Sequence, residues 1–337
     1  MAMRSKEFRN PGRDARKVLI IKLSALGDVI MALGAMRAIR EAHPAASITW
    51  LTTPAFEELA QKCPYVDRVE TNGRPDKVAE SNELVNRIRE EKYDIVYDLH
   101  CSDRTANYFR AMNAFGRRPP LWCGHAPKCA FPFTDPDRKK IPAIERHARQ
   151  LELAGLGPFE SLPRPDMSWA FRDVETNPRL KPDYFNLSNN YALIMAGSSE
   201  GHPAKRWPAE AFGDLARRLD AVGIEAVLIG TTADGHINSE IGHFAPKARN
   251  LTTRTDLFQL AALASGAQIV IGNDTGPTHL AAASGARTIA LFGTNHSHQD
   301  TVIAKGDPTI VVFGETVADI PVDTVWQLLP AMGVISR

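Results

Sequence analysis

The sequence predicts an α/β protein of two domains, each a mainly parallel sheet with helices on both faces. Two observations carry this. Short β-rich runs alternate with longer helical ones through both halves of the chain. The alternation fails once, over a proline-rich stretch from about 157 to 190. A chain of 337 residues is long enough for two ordinary domains.

The elements of the first half follow in order. KVLIIK (17–22) reads as a buried strand, and after SALGD the run VIMALGAMRAIREAH has its apolar residues at helical spacing. SITWLT (47–52) is a second strand, and PAFEELAQK opens a helix with proline in its first turn. DRVE is a short third strand, NELVNRIREEK a helix and YDIVYDLH (93–100) the next strand. SDRTANYFRAMNAF is a helix with Ser102 as its cap. RRPPLWCG reads as an edge strand, because its two prolines exclude a central one. IERHARQLELAGLG is a helix ended by glycine.

The second half resumes with the strand YALIMA, the polar loop GSSEGHPAKR and the helix WPAEAFGDLARRLDAVG. IEAVLIG is a strand, TTADGHINSEIGHF a loop and helix, and ARNL a short strand. TDLFQLAALASG is a helix capped by Thr255 or Asp256. AQIVIG, the segment NDTGPTHLAAASGA (273–286), RTIALFG and TIVVF complete the core, and VDTVWQLLPAM is a final helix. The expected layout is a basic leader over 1–16, a domain over 17–170, a connection over 171–190, a second domain over 191–320 and a C-terminal helix over 321–337 packing back on the first domain. Both domains read as Rossmann-like, facing each other across a cleft, with ligands at the carboxyl ends of the strands.

Composition narrows the function. Apolar residues make up 44% and charged residues 23%, the balance of a soluble globular chain. A formal net charge of +1 gives no global field for nucleic acid. The leader MAMRSKEFRNPGRDARK is the one basic excess. It reads as a solvated tail, with weak attraction to an anionic membrane surface as the alternative. No run approaches the ~18 apolar residues of a membrane span, and no signal-peptide core is present, so a cytoplasmic protein is expected. Cys63, Cys101, Cys123 and Cys129 form no CxxC pair. Cys123 and Cys129 flank His125 without an evident fourth ligand, so reduced structural thiols and no metal are expected.

Three loops carry candidate chemistry. In NDTGPTHLAAASGA, Gly276 permits a tight turn, and the first-turn N–H groups and dipole of the following helix make an anion site. Thr275 and Thr278 add hydroxyls and His279 a ring N–H, so the segment reads as a cradle for a phosphate or diphosphate. A simpler account has Asp274 or Thr275 only capping the helix. The loop GSSEGHPAKRW offers Ser198, Ser199, Lys205 and Arg206, with hydroxyls for phosphate oxygens and a lysine for a leaving group; the simpler account has surface cations before a Trp-Pro helix start. In SALGDV, Gly27 makes the turn and Asp28 heads a helix. Asp28 either caps that helix or serves as a general base. The positive helix end favours its charged form, so such a base acts late, as the attacking hydroxyl releases its proton. Neither G-x-G-x-x-G nor G-x-x-x-x-G-K-[ST] follows any predicted strand, which argues against a nicotinamide enzyme or a P-loop ATPase.

Together these residues resemble the family nine glycosyltransferases, the ADP-heptose:lipopolysaccharide heptosyltransferases. The resemblance runs through KVLIIKLSALGDVIMALGAMRAIR, YDIVYDLH, KRWPAEAFGDLA and GNDTGPTHLAAASGARTIALFG, in the family's order. It implies a GT-B fold and inverting, metal-independent sugar transfer from a nucleotide diphosphate sugar, with ADP-heptose favoured and no cofactor. It implies Asp28 as the base that deprotonates the acceptor hydroxyl and Lys205 as the residue that stabilises the diphosphate. Ser198, Ser199, Asp274, Thr275, Gly276, Thr278 and His279 then hold the donor, while Ser24 and Gly27 lie on the acceptor side. The family's loop after the IEAVLIG strand offers a glutamate to the ribose; here TTADGH supplies Asp234. After LFG the family continues Pro-Thr, where this chain has Thr294-Asn295-His296-Ser297-His298. The partners implied are the nucleotide sugar and a lipopolysaccharide-type, lipid-linked or other glycan acceptor, met at the inner membrane. Two other readings remain at this point: a sugar-nucleotide epimerase of similar fold, which needs acid/base groups on both sides of the sugar, and a non-catalytic nucleotide-sugar binding protein.

Overall fold

The structure, a computed structural model, describes residues 14–113, 119–138, 140–157, 162–198, 203–294 and 309–336. Ser199, the His296/His298 loop and most of the basic leader lie outside them. The chain divides into two compact units: the first takes the residues up to Ser24 and Ala32–Pro163, and the second takes Ala25–Met31 and the residues from Arg164 onward.

The first unit is built on six parallel strands. In chain order its elements are β1 (Lys17–Ile21), α1 (Leu26–Ala42), β2 (Ser47–Leu51), α2 (Glu57–Lys62), β3 (Arg68–Glu70), α3 (Val78–Glu91), β4 (Ile95–Asp98), α4 (Asp103–Asn113), β5 (Leu121–Gly124), β6 (Phe131–Pro132) and α5 (Ala143–Leu153). The first turn of α1 counts with the second unit. The sheet order is β3-β2-β1-β4-β5-β6. Apolar side chains of β1, α3, β4 and α4, with Trp122 from β5, form its core. Ser102 and Thr105 exchange hydrogen bonds at the start of α4, the expected cap. Gly155 ends the turn after α5 at φ 76°, a conformation that disfavours any other residue. One strand departs from expectation. β5 is not the edge, because Pro119 and Pro120 precede it rather than interrupt it, and β6 pairs on its outer side.

The second unit repeats the plan with β7 (Tyr191–Met195), α6 (Ala209–Ala221), β8 (Glu225–Leu228), α7 (Gly235–Phe244), β9 (Arg249–Asn250), α8 (Leu257–Gly266), β10 (Ile269–Asn273), α9 (Gly276–Ala283), β11 (Thr288–Gly293), β12 (Thr309–Gly314) and α10 (Val322–Trp326). Its parallel order is β12-β11-β10-β7-β8-β9, which is the first sheet's order again. Every residue of β7, β10 and β11 is buried, as in a sheet covered on both faces. Asp256 caps α8 by accepting from the N–H groups of Phe258 and Gln259. Trp207 is fully buried, sits edge-on to Phe212 at 4.9 Å and donates its indole N–H to the Ile320 carbonyl at 2.8 Å.

Two expected boundaries need correction. The proline-rich connection is folded and belongs to the second unit from Arg164. Its short 3₁₀ turns Ser168–Phe171, Pro178–Leu180 and Pro182–Phe185 bury Trp169, Leu180 and Phe185. Met167 N–H bonds Ala283 O at 2.8 Å, and Gln259 Nε2 donates to Arg179 O at 3.3 Å. Prolines in first turns stop long helices without preventing order. The C-terminal segment packs into the core of the second unit rather than on the first, because Val325 and Leu329 enter that core with no exposed surface. Leu329→Ala is therefore expected to lower the stability of the second unit by about 2–5 kcal/mol in urea denaturation. A loss below about 1 kcal/mol would contradict this packing.

Candidate active site

In the second unit the strand order reverses between the hydrogen-bonded neighbours β7 and β10. Such a switch point leaves a crevice beyond the carboxyl ends of the strands. Three segments meet there: Ala196–Ser198 after β7, Lys205–Trp207 before α6, and Asn273–His279 from β10 into α9. Asn273 joins them with a fully buried side chain. Its Oδ1 accepts from Trp207 N–H at 3.0 Å, and its Nδ2 donates to Ala196 O at 2.7 Å and Gly197 O at 3.3 Å.

The electrostatic centre is Asp274. Its Oδ2 pairs with Lys205 Nζ at 2.6 Å and its Oδ1 with His279 Nε2 at 3.2 Å. Burial alone would raise this carboxyl. The hydrogen bond and charge of His279, followed by those of Lys205, outweigh burial and hold it at about 2. His279 is 5% exposed, and among the described residues its Nδ1 has no hydrogen-bond partner. Ser198 accepts from Arg206 Nε at 2.9 Å, so the loop after β7 and the approach to α6 are tied at a second point.

The simpler capping account of the α9 start does not hold. Thr275 occupies the cap position in extended conformation, yet its side chain makes no capping bond among the described residues. Asp274 is instead committed to Lys205 and His279. The first-turn N–H groups of α9 thus lack a side-chain cap and face the end of the sheet. Thr278 does not serve as expected: it is fully buried and donates its hydroxyl proton to Asn273 O at 2.8 Å, so that proton is not available to a ligand. Gly276 is required by close approach. A Cβ there would lie 2.8 Å from Leu26 Cβ and 3.1 Å from Gly27 N. Leu26, Gly27 and Asp28 count with this second unit, and a Cβ on Gly27 would lie 3.0 Å from His279 Cδ2. Asp28 stands in the first turn of α1, partly exposed.

Asp234 lies at the same sheet end, after β8. Its Oδ2 accepts from Thr231 N and Oγ1 at 2.8 and 2.9 Å, closing its own turn. A Cβ on Gly197 would overlap its other oxygen, so Asp234 reaches over the end of β7. In the first unit, Ser24 Oγ accepts from Arg74 Nη1 at 3.3 Å. Cys123 Sγ donates to Gln150 O at 3.1 Å, His125 Nδ1 lies 3.3 Å from Phe133 O, and Cys129 is buried. Among the described residues no group of three or more His, Cys, Asp or Glu is arranged to hold a metal ion.

The family model of glycosyltransferase family 9 (heptosyltransferase) matches residues 82–317, more than half of the chain. The chain belongs to glycosyltransferase family 9. It is a glycosyltransferase of the heptosyltransferase family, and the match spans Lys205 and the whole Asp274 loop. The lipopolysaccharide heptosyltransferase 2 of Salmonella typhimurium is 26% identical over 292 residues, 82% of each chain. Among solved structures, the glycosyl transferase family 9 from Veillonella parvula agrees with a TM-score of 0.77 at 22% identity, covering 94% of this chain and 97% of that one. The E. coli ADP-heptose lps heptosyltransferase II agrees at 0.73 and 24% identity, covering 94% and 98%. At these identities the structural likeness establishes the fold, which is GT-B.

Sequence reasoning missed Asn273. Asn273 had a visible signal, an amide at the end of an otherwise apolar strand. Arg206 stands in the quoted loop, but its partner Ser198 is set by folding. The Asp274 cluster predicts a pH signature. Because its folded value is depressed to about 2, the carboxylate contributes stability above the unfolded range near 4 and loses it as the pH falls towards 2. Asp274→Asn is expected to be less stable than the parent by about 2 kcal/mol at neutral pH. The deficit should shrink between about pH 4 and pH 2, as read by denaturant midpoints across pH. A deficit constant over that range would show that the ion cluster does not hold the carboxyl down.

Proposed function

We propose that this glycosyltransferase moves heptose from ADP-heptose to a hydroxyl of a lipopolysaccharide-type acceptor, with inversion at the transferred carbon. The observation that carries the reading is the cluster of Lys205, Asp274 and His279 at the uncapped start of α9, in the crevice of the switch point. Asp28 is counted in the same unit. The names of the relatives point the same way: one is a lipopolysaccharide heptosyltransferase and another an ADP-heptose lps heptosyltransferase.

The donor diphosphate lies against the first turn of α9, where N–H groups and the helix dipole favour negative charge. The acceptor oxygen attacks the anomeric carbon from the face opposite the diphosphate. Asp28 takes the acceptor proton as the new C–O bond forms, the bond from the anomeric carbon to the diphosphate oxygen breaks, and ADP departs with the bonding pair. A single displacement inverts the centre. Lys205, already oriented by Asp274, neutralises the charge that develops on ADP, which is the work a divalent cation does elsewhere. Asp234 faces the ribose, and Ser24 with Gly27 lies on the acceptor side. Among the described residues no helix is long and apolar enough to cross a membrane. We place the enzyme on the cytoplasmic side, meeting its lipid-linked acceptor at the membrane surface, with the basic leader assisting contact.

Purified protein screened against ADP, GDP, UDP and their sugar conjugates should show thermal stabilisation by the adenine series. Asp28→Ala is expected to retain ADP binding and to lose about 10²–10⁴-fold in kcat for nucleotide release with acceptor present. Lys205→Ala should lower kcat by about 10²–10³-fold. Transfer by Asp28→Ala at the parent rate would sink the mechanism, and a wild type that no nucleotide stabilises would sink the donor assignment.

A further inference from the structure

Asn273 touches no solvent, so it cannot touch a donor. It nevertheless stands between three segments of the switch point, the ends of β7 and β10 and the approach to α6. Its side chain fixes the end of β7 through Ala196 and Gly197, two and one residues before Ser198. The same side chain fixes the N–H of Trp207, two residues after Lys205. Trp207 is itself locked by its bond to Ile320 O and by Phe212, so this bond determines where Lys205 leaves the core. The backbone carbonyl of Asn273 accepts from Thr278 and so sets the first turn of α9, and Asp274 is the next residue in the chain.

We propose that Asn273 is the positioning residue of the donor site: it holds Lys205, the loop after β7 and the start of α9 at the mutual spacing that a diphosphate requires. This rests on the reading of these loops as a nucleotide diphosphate site. The chemistry explains the residue type. The position needs one acceptor for Trp207 N–H and one donor for two carbonyls, both uncharged and both buried. A primary amide supplies the pair. A carboxylate supplies the acceptor only, turns a negative charge on the carbonyls of Ala196 and Gly197, and stands beside ionised Asp274. A protonated carboxylic acid restores one donor and one acceptor. The charged and titratable groups around the position are Asp274, Lys205, His279 and Arg206, and all of them remain in an Asn273→Asp variant.

The test uses the full chain and ADP as the probe, with Kd measured by calorimetry from pH 8 to pH 5 for wild type, Asn273→Asp and Asn273→Ala. Each variant is compared with wild type at the same pH, which removes the titration of ADP and of the groups that the variants share with wild type. Asn273→Asp is expected to bind ADP at least about tenfold more weakly than wild type at pH 8. Its deficit should close as the carboxyl protonates, while that of Asn273→Ala stays constant. A second measurement needs no nucleotide. The coupling between Lys205→Ala and Asp274→Ala, taken from melting temperatures in a double-mutant cycle, should be present with Asn273 and lost with Asn273→Ala. Parent-like ADP binding by Asn273→Asp at pH 8, or a deficit that does not move with pH, overturns the proposal. If wild type binds no ADP, the donor reading has failed and the cycle alone decides. Coupling that survives Asn273→Ala then overturns the positioning role, and coupling that disappears supports it.

Discussion

The switch-point end of the second sheet depends on a constraint of topology. β7 and β10 are bonded side by side, but the chain builds outward from them in opposite senses, towards β8 and β9 on one flank and β11 and β12 on the other. The segments that leave the two strands therefore diverge, and the gap between them cannot be filled by a neighbouring crossover. Backbone groups at such a gap must find partners among side chains or ligands. Asn273 meets the buried part of that demand, and the start of α9 is left without a side-chain cap among the described residues. The crevice arises because the connections leave the middle of the sheet in opposite directions, although the strands themselves stay paired.

Charge in the gap is arranged around a carboxylate rather than around a bare cation. A lysine alone at a helix start would face unfavourable partial charge, since helix N-termini favour anions. Asp274 resolves the conflict by pairing with Lys205 and His279, and those partners outweigh the cost of its burial. The arrangement keeps the ammonium close to the anion site without its drifting to solvent. A buried ion pair contributes less to net stability than its short distance suggests, because desolvation opposes it. Its function is to hold orientation.

The alternation of runs, the parallel sheets and the polarity of NDTGPTH were legible because each is written in local spacing. Asp256 was legible as a cap for the same reason. Other features are set by partners far away in the chain. The prolines between 163 and 190 looked like a structureless connection, yet the segment is ordered by Ala283 and Gln259. The Thr278 hydroxyl looked available, yet a carbonyl five residues earlier takes its proton. The short strand Phe131–Pro132 has too few residues to show any period, and Asn273 acquires its meaning only from Ala196, Gly197 and Trp207. Local pattern fixed the location of the site, whereas the hydrogen bonds that organise it were invisible until the chain was folded.

The meeting of Gly27 with Gly276 has a consequence for how this enzyme can vary. The turn that carries Asp28 and the turn that carries Asp274 meet at these two glycines, and the atoms nearest a Cβ at either one belong to the Leu26 side chain, the His279 ring and the backbone of the other glycine. At Gly27 and Gly276 themselves a substitution can only add bulk, and it would add it against Leu26 or His279. Neither glycine has a side chain to trim, so the two positions cannot make more room between the turns. Variation at this contact therefore falls to Leu26, His279 and the loops beyond them rather than to the two glycines.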